Sequence, residues 1–344
     1  MSIVSLLRKK SINTLFTTPS HGQKFFIHNK FRQFYKCDIS ETDTHNPTEA
    51  LCKAQEQAKD IYGTKYTLFL TNGSTSGIIA SVLACTKTGD NVLIHKCAHP
   101  SHLNAVKLAG CNPVFYDLAE DNEFGCYQRN SVENLETYFT TNTIKAVIVT
   151  SPTYEGFVSD IKSIKKLCEQ NNAYLIVDEA HGALYPFLDL LPESAVKTAD
   201  FTIQSLHKTA GGLNPTALLH SNCEINPQSA LNLINTTSPS YPLLATIEAN
   251  IKFLNSKKGK KQIEKLVSSI NELKKDLPNL NFGGDDPLKI LIKSDKMTGE
   301  ELSNKLFENK IEDERSNEKS IMLLCGIGTT NEKLERLKKV LTRL

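Results

Sequence analysis

Two ionisable residues follow apolar runs of the kind that form buried strands. Asp178 comes directly after the run at 174–177, and Lys208 comes shortly after the run at 201–204. A carboxylate at the end of a buried strand is desolvated, so it needs a cationic or protonated partner to stay ionised. A lysine in such a site can act as a nucleophilic amine that forms a Schiff base with a carbonyl. A salt-bridged structural aspartate and a solvent-facing loop lysine are the alternatives.

Small hydroxylated residues and a histidine follow two further apolar runs. Ser74, Thr75 and Ser76 lie in Thr71-Asn-Gly-Ser-Thr-Ser-Gly77, directly before a helical pattern. Free backbone N–H groups at a helix start, together with hydroxyl donors, form a phosphate-binding cup, although such residues also serve as plain N-caps. His99 follows the run at 91–94 and offers an imidazole that can stack on a planar ligand. A lone histidine is also often a structural residue.

These four segments occur in chain order at successive predicted strand ends. Parallel sheets bind ligands beyond the carboxyl ends of their strands. A phosphate cup, a buried carboxylate, a Schiff-base lysine and a flat stacking group are the parts needed to hold pyridoxal 5′-phosphate (PLP). The carboxylate keeps the pyridine nitrogen protonated, and the lysine holds the aldehyde. The sequence therefore predicts a PLP site.

Competing ligand classes lack their motifs. There is no GxxxxGK[ST], and the only GxG, Gly326-Ile-Gly328, has no third glycine, which argues against ATP and dinucleotide sites. The nine histidines are scattered, and the pair His99 and His102 has no matching carboxylate pattern, so no metal site is predicted. A net charge of +2 argues against a nucleic-acid binder.

Short apolar runs alternate with helical patterns through the first two thirds of the chain. The β-prone runs are 67–70, 91–94, 113–116, 146–149, 174–177, 201–204 and 216–219. Runs at such intervals favour a largely parallel sheet with helices on both faces. From about residue 251 a Lys/Glu-rich helix, two strands and two further helices indicate a small α+β unit. We predict an N-terminal arm (1–45), a large PLP-binding domain (46–250) and a small C-terminal domain (251–344).

The amino-acid composition indicates where in the cell the protein is expected to lie. The chain has 344 residues, of which 40% are hydrophobic, enough for a substantial core. Its nine cysteines show no CxxC pair and are expected to be reduced packing residues. No apolar stretch reaches the roughly 18 residues of a membrane span, and no secretory signal is evident. We expect a cytoplasmic protein without membrane contact.

Several motifs, taken in order, carry a family resemblance. They are Asn72-Gly-Ser-Thr-Ser-Gly77, His99-Pro-Ser101, Ser151-Pro-Thr-Tyr-Glu-Gly156, Asp178-Glu-Ala-His-Gly182, Gln204-Ser-Leu-His-Lys-Thr209 and Thr237-Ser-Pro-Ser-Tyr-Pro242. Together they resemble the signature of the bacterial ornithine/lysine/arginine decarboxylases, over about residues 14–344. These are PLP enzymes of fold type I. The resemblance implies a three-layer α/β/α large domain with a mainly parallel seven-stranded sheet, plus a small α+β C-terminal domain.

The resemblance also implies roles for individual residues. Lys208 would form the Schiff base, Asp178 would face the pyridine nitrogen, and His99 would stack on the ring. The remaining implied contacts are Ser74, Thr75, Ser205 and His207 around the phosphate, Ala180 or His181 near the ring face, and Thr153 near the phenolic oxygen. Lys208 or His207 would return a proton to Cα.

The sequence departs from the family pattern at several positions. Members usually have His-Lys-Ser at His99-Pro-Ser101, Thr-Gln at Asn214-Pro215, and Pro-Gly-His-Lys at Pro19-Ser-His-Gly22. Most also continue into a further C-terminal domain of roughly a hundred residues, a usual domain size, which helps to shape the substrate entrance.

The resemblance implies decarboxylation of lysine, ornithine or arginine by a homodimer. The distal end of a basic substrate needs an acidic partner, for which Glu41, Asp43, Glu155 and Glu314 are candidates, although each is also explained as an ordinary surface carboxylate. Another PLP reaction, such as that of an aminotransferase or a lyase, stays open. The scarcity of arginine between 33 and 314, where Arg129 stands alone, argues against an aminotransferase. A non-catalytic PLP-binding relative is the third alternative.

Overall fold

A computed structural model describes residues 2–10, 32–40 and 44–343 of the chain. Glu41, Asp43 and the segment Thr18-Pro-Ser-His-Gly22 lie outside the described residues. The strands are β1 (Tyr66–Leu70), β2 (Asn91–His95), β3 (Asn112–Tyr116), β4 (Glu120–Asp121), β5 (Cys126–Tyr127), β6 (Ile144–Thr150), β7 (Tyr174–Asp178), β8 (Phe201–Ser205), β9 (Ala217–Ser221), β10 (Asn281–Gly283), β11 (Lys289–Lys293), β12 (Arg315–Ser316) and β13 (Ile321–Leu324).

The helices occupy the stretches between these strands and both ends of the chain. They are α1 (Ile3–Lys10), α2 (Arg32–Cys37), α3 (Glu49–Tyr62), α4 (Gly73–Cys85), α5 (Pro100–Leu108), α6 (Val132–Thr141), α7 (Ile161–Gln170), α8 (Leu206–Thr209), α9 (Gln228–Asn232), α10 (Tyr241–Leu254), α11 (Lys257–Lys275), α12 (Gly299–Glu308) and α13 (Asn331–Leu341). Among the helices described, none is both long and apolar enough to cross a lipid bilayer.

Seven strands form the central sheet, in the order β1-β9-β8-β7-β6-β2-β3. Strand β9 runs antiparallel to both of its neighbours, and the remaining pairs are parallel. The middle strands are apolar on both faces because helices cover both. Ile148 packs with Ile78 of α4 on one face, and Val147 packs with Ile164 of α7 on the other. The predicted three-layer α/β/α arrangement with a mainly parallel seven-stranded sheet is thereby confirmed.

The C-terminal part carries a smaller antiparallel sheet, in the order β10-β11-β13-β12. One apolar cluster joins it to the rest of the chain, since Leu7 of α1, Tyr62 of α3, Ile251 of α10 and Ile290 of β11 all belong to it. The two sheets therefore share a core. The limits of the three predicted domains stay predictions, and residues 11–31 and 41–43 of the predicted arm lie outside the described ranges.

The segment Gly326-Ile-Gly328 packs against α8. The backbone N–H of Ile327 donates to the carbonyl oxygen of Thr209 (2.8 Å). A Cβ atom at residue 326 would lie only 2.7 Å from that oxygen, so only glycine allows this approach. The turn after β13 is thereby held beside the short helix that carries Lys208.

Candidate active site

The carboxyl ends of three neighbouring strands gather the predicted site residues. Asp178 is the last residue of β7, and Ser205 is the last residue of β8. Thr153 follows the end of β6 by three residues, and α8 begins directly after β8 with Lys208 in its single turn. Because β6, β7 and β8 run parallel to one another, these ends meet at one edge of the sheet.

Asp178 is buried, with 6% of its surface exposed, and its carboxylate has two hydrogen-bond partners. Its Oδ2 lies 3.0 Å from Nε2 of His102, and its Oδ1 accepts from the N–H of Ala180 (3.2 Å). Burial acts to raise the pKa of Asp178, but the His102 hydrogen bond and the nearby charges outweigh it and hold that pKa below its usual value. The residue therefore stands ready as an ionised carboxylate.

Replacing His102 by leucine should make stability depend on pH in a new way. In the wild type, the pKa of Asp178 is lower in the folded protein than in the unfolded protein. The ionised carboxylate therefore stabilises the fold above the unfolded-state pKa, and this stabilisation is lost as pH falls through the folded-state pKa. Without the His102 donor, burial raises the pKa of Asp178 in the folded state. The free energy of unfolding of the variant therefore falls as pH rises and the buried carboxyl group ionises. We expect the deficit of the variant to grow from acid to neutral pH and to reach about 3 kcal/mol there.

Urea unfolding at several pH values measures this deficit. The control is His102→Gln, which keeps a side-chain donor and should stay closer to the wild type. A deficit of His102→Leu that does not change with pH would contradict the assigned role of His102.

Lys208 is half-buried, and its Nζ lies 3.0 Å from Nε2 of His181. Burial lowers the pKa of Lys208, against the opposing effect of the Asp178 and Glu314 carboxylates. Burial, followed by the positive charge of Lys289 and of Lys208 itself, places the pKa of His181 well below its usual value. We therefore assign His181 as a neutral imidazole whose Nε2 accepts from Lys208.

His99 is held at the start of α5, where it is the N-cap residue. Its Nδ1 accepts from the backbone N–H of Ser101 (3.2 Å) and lies 2.8 Å from the Ser101 hydroxyl. Burial lowers the pKa of His99, which Asp178 partly opposes. These bonds fix the ring through one nitrogen, as a stacking group requires.

The predicted phosphate cup lies where α4 begins. Gly73 has φ +71° and its N–H donates to the carbonyl of Pro215 (2.8 Å), which places the start of α4 beside β9. Ser205 pairs in register with Ala217 of β9, so it flanks the same point. The Ser76 hydroxyl donates to the Gly73 carbonyl (2.8 Å) and turns back into its own helix.

The other members of the cup present their side chains differently. Ser74 is half-buried and Thr75 is exposed. Nδ1 of His207 lies 3.0 Å from the carbonyl oxygen of Thr216, which leaves its Nε2 for a ligand. The Ser205 hydroxyl is buried and has no hydrogen-bond partner among the described residues.

The residues at this edge fit PLP. A buried hydroxyl without a partner, as at Ser205, is rare in proteins and indicates a place for a ligand acceptor. Nδ1 of His181 is likewise buried and unpaired within the part of the chain that the structure describes. An ionised carboxylate at Asp178 and an amine of lowered pKa at Lys208 complete the set that a pyridine nitrogen and an aldehyde require.

Residues from the loop after β6 and from the start of β12 lie next to this edge. The Tyr154 ring packs edge-on against His181, with 5.1 Å between ring centroids, and its hydroxyl donates to Glu314 (2.6 Å). Arg315 lies over the Tyr154 ring and donates to the carboxylate of Glu155 (3.0 Å). Glu314 is exposed, as an ordinary surface carboxylate is, whereas Glu155 is buried and that interpretation is wrong for it.

His102 contacts Asp178 and is a residue of the candidate site that sequence reasoning misses. The sequence suggests it only as half of a metal-binding pair with His99. The spacing contains a usable signal, because the first turn of a helix that follows a parallel strand lies at the same sheet edge as the carboxyl ends of the other parallel strands. Within the described ranges, no group of three or more His, Cys, Asp or Glu side chains is placed to hold a metal ion.

Comparison with known proteins identifies the family. The family model described as Orn/Lys/Arg decarboxylase, major domain, matches residues 8–286. The chain belongs to this family. Ornithine/lysine/arginine decarboxylases are PLP-dependent enzymes, which confirms the predicted cofactor.

Individual relatives of the ornithine/lysine/arginine decarboxylase family resemble the chain over most of its length. The uncharacterized protein YaaO of Bacillus subtilis is 30% identical over 91% of this chain and 71% of the relative. An arginine decarboxylase of Bacillus subtilis is 29% identical over 96% of this chain and 74% of the relative.

Solved structures of two lysine decarboxylases share the fold, which confirms the predicted fold type I. Lysine decarboxylase LdcF of Francisella novicida matches with a TM-score of 0.85 and 20% identity, over 99% of this chain and 59% of that chain. Lysine decarboxylase A of Pseudomonas aeruginosa matches with a TM-score of 0.86 and 18% identity, over 99% and 59%. The chain thus spans about three fifths of the length of these two enzymes.

Proposed function

We propose that the chain is a PLP-dependent decarboxylase that converts a basic amino acid, lysine, ornithine or arginine, to the corresponding amine and carbon dioxide. The observation that carries the proposal is the meeting of an ionised buried carboxylate, Asp178, and an amine of lowered pKa, Lys208, at one sheet edge. When bound, PLP supplies a ring that accepts electrons as a bond to the substrate Cα breaks.

Asp178 and Lys208 have distinct roles in this proposal. Burial makes Lys208 easier to deprotonate, as is needed in an amine that would hold the cofactor aldehyde. Asp178 would keep a proton on the pyridine nitrogen. A carboxylate has about four acceptor positions, and His102 and Ala180 occupy two of them, so a position is left for that proton.

The remaining residues bind and orient the cofactor. His99 would stack on the ring, and Ala180 or His181 would lie close to the ring face. Ser74, Thr75, Ser205, His207 and the N–H groups at the start of α4, including that of Ser76, bind the phosphate, while Thr153 approaches the phenolic oxygen. We propose Lys208 rather than His207 as the donor of a proton to Cα, because Lys208 has His181 as a hydrogen-bond partner.

Glu314 is the proposed partner of the distal cationic group of the substrate. Its carboxylate is near enough to raise the pKa of Lys208, and the Tyr154 hydroxyl orients it. Glu155 is engaged by Arg315 and is therefore not free for this role. Arg315 lies just beyond the arginine-poor stretch, but its contact with Glu155 gives no support to an aminotransferase.

Glu314→Gln should raise KM for the basic amino acid about tenfold with a smaller change in kcat. A tenfold change corresponds to about 1.4 kcal/mol, which is close to the lower limit of about 1.5 kcal/mol for a hydrogen bond to a charged group. The matched control is Glu312→Gln, since Glu312 is an exposed carboxylate of the same segment. Equal KM values for the two variants would remove Glu314 from the substrate site.

The proposed activity is tested by following carbon dioxide release. The purified protein, loaded with PLP, is mixed in turn with lysine, ornithine and arginine, and release is expected with at least one of them. Formation of a 2-oxo acid or ammonia without carbon dioxide would indicate an aminotransferase or a lyase. A cofactor absorbance band without any turnover would indicate a non-catalytic relative.

A homodimer and a cytoplasmic location belong to the same proposal. The homodimer is expected by analogy with the fold, in which the active site usually lies between two subunits. Light scattering of the PLP-loaded protein tests it, and a monomer would count against a shared site.

A further inference from the structure

Lys289 is a fully buried lysine, with 0% of its surface exposed, at the first position of β11. Isolated charges are costly to bury, so a lysine in this position must have polar partners. Along β11, Ile290 and Ile292 belong to the shared apolar cluster, whereas Leu291 belongs to a separate cluster with Phe157. Lys289 alternates with Ile290, so its side chain points to the face of Leu291, where Phe157 of the loop after β6 also packs.

The partners of Lys289 are in the loop that follows β6. Its Nζ donates to the carbonyl oxygen of Thr153 (2.7 Å) and to that of Tyr154. Gly156, with φ +106°, allows this approach, because a Cβ there would lie 3.1 Å from Cδ of Lys289. The Gly156 carbonyl also accepts from the N–H groups of Asp285 (2.8 Å) and Asp286 (2.9 Å). The segment 285–289 therefore clamps this loop at several points.

The loop after β6 contacts the candidate site through the side chain of Tyr154. The backbone of Tyr154 is bound to Lys289, its ring packs against His181, and His181 is the hydrogen-bond partner of Lys208. This is a continuous path of contacts from a buried lysine of the small sheet to the amine at the edge of the large sheet.

The charge of Lys289 also affects His181. Burial lowers the pKa of Lys289 to about 8, with Asp286 opposing, so the side chain is largely an ammonium at neutral pH. After burial, the charge of Lys289 has the largest effect in keeping the pKa of His181 low. The other groups that face His181 are Lys208, His207 and His99, all of which act in the same direction, and the Tyr154 ring.

We propose that Lys289 is a positioning residue for the active site, whose ammonium ties the Thr153 and Tyr154 carbonyls so that the Tyr154 ring holds His181 beside Lys208. Its charge also keeps His181 in the neutral form that accepts from Lys208. The catalytic consequence rests on the proposed function, whereas the effect on His181 does not.

Lys289→Met separates this role from simple packing, because it keeps much of the side-chain volume and removes the donors and the charge. In the cofactor-free protein, NMR titration of labelled histidine should show the pKa of His181 rising towards the usual value, with the signal assigned through His181→Gln. In the PLP-loaded protein, kcat should fall about 100-fold, the scale of a misplacement by about 1 Å, with a smaller change in KM.

The matched control is Lys274→Met. Lys274 is a partly buried lysine that donates to the Lys289 carbonyl (3.3 Å) and feels Asp286, but within the described chain it makes no hydrogen bond to the 153–154 loop. The Lys274→Met exchange should leave the pKa of His181 and the kcat of the enzyme near their wild-type values. If Lys289→Met does not fold, Lys289→Gln carries the test, since it keeps an N–H donor but no charge.

The two readouts separate the possible failures. An unchanged His181 titration in a folded Lys289 variant would overturn the proposal whatever the activity. A shifted His181 in a protein that releases no carbon dioxide would uphold the placement of Lys289 and overturn the proposed function alone.

Discussion

Exchange of Lys208 for alanine removes the covalent attachment of PLP, and we expect decarboxylation to fall by about 10⁴-fold or more, as when an enzyme loses its nucleophile. The neighbouring imidazole of His181, 3.0 Å from Nζ, cannot form the imine in its place. Borohydride reduction followed by peptide mass spectrometry should find the cofactor on Lys208 in the wild type and none in the variant.

Two comparisons make this result specific to Lys208. Lys208→Arg keeps a positive charge beside His181 but cannot form an imine, so it should lose the adduct while its urea midpoint stays near that of the wild type. Among the described residues, Lys289 is a second lysine with a lowered pKa whose charge acts on His181. An adduct on Lys289 would show that the aldehyde site lies nearer to β11 than we propose.

Asp178→Asn should lower kcat by about 10² to 10³-fold, the usual effect of removing one group that stabilises developing charge. The amide oxygen can still accept from His102, so the fold should be retained, but a neutral amide does not hold the proton on the pyridine nitrogen as a carboxylate does. Because Lys208 is intact, the borohydride adduct should persist. Loss of kcat with retention of the adduct is the expected result.

Asp200 provides the control for this exchange. It is a similarly buried aspartate, with 8% exposure against 6% for Asp178, but it lies before β8, at the opposite edge of the sheet, and pairs with Lys165. Asp200→Asn should reduce stability and leave kcat of the folded protein near the wild type. If the two variants lost kcat equally, the role of Asp178 would be no more than structural.

The sequence predicts the central sheet well because its strands are apolar on both faces. The runs at 174–177 and 201–204 fall within β7 and β8, and each ends at a polar residue, Asp178 or Ser205. Residues at strand ends of a parallel sheet must meet at one edge, so the strand pattern alone is enough to associate Asp178 with Lys208.

Contacts that depend on docking of the small sheet could not be predicted. Tyr154 and Glu314 are 160 residues apart, and Lys289 and Tyr154 are 135 apart. In sequence, Lys289 opens an alternating strand and resembles Lys293 at its other end. Only the packing of β11 against the loop after β6 distinguishes the two. Likewise, the pairing of His102 with Asp178 depends on how α5 turns above the sheet.

The shared core of the two sheets limits how an amino acid can enter. Swinging the small sheet outward would separate Ile290 from the apolar cluster to which Tyr62 and Ile251 also belong and would expose apolar surface to water, at about 25 cal/mol for each Å². A rigid-body hinge between the sheets is therefore disfavoured. Entry of the amino acid and release of the amine then depend on side-chain rotamer changes at the edge of the site. Breaking the hydrogen bond between Tyr154 and Glu314 costs little free energy, because water can replace either partner.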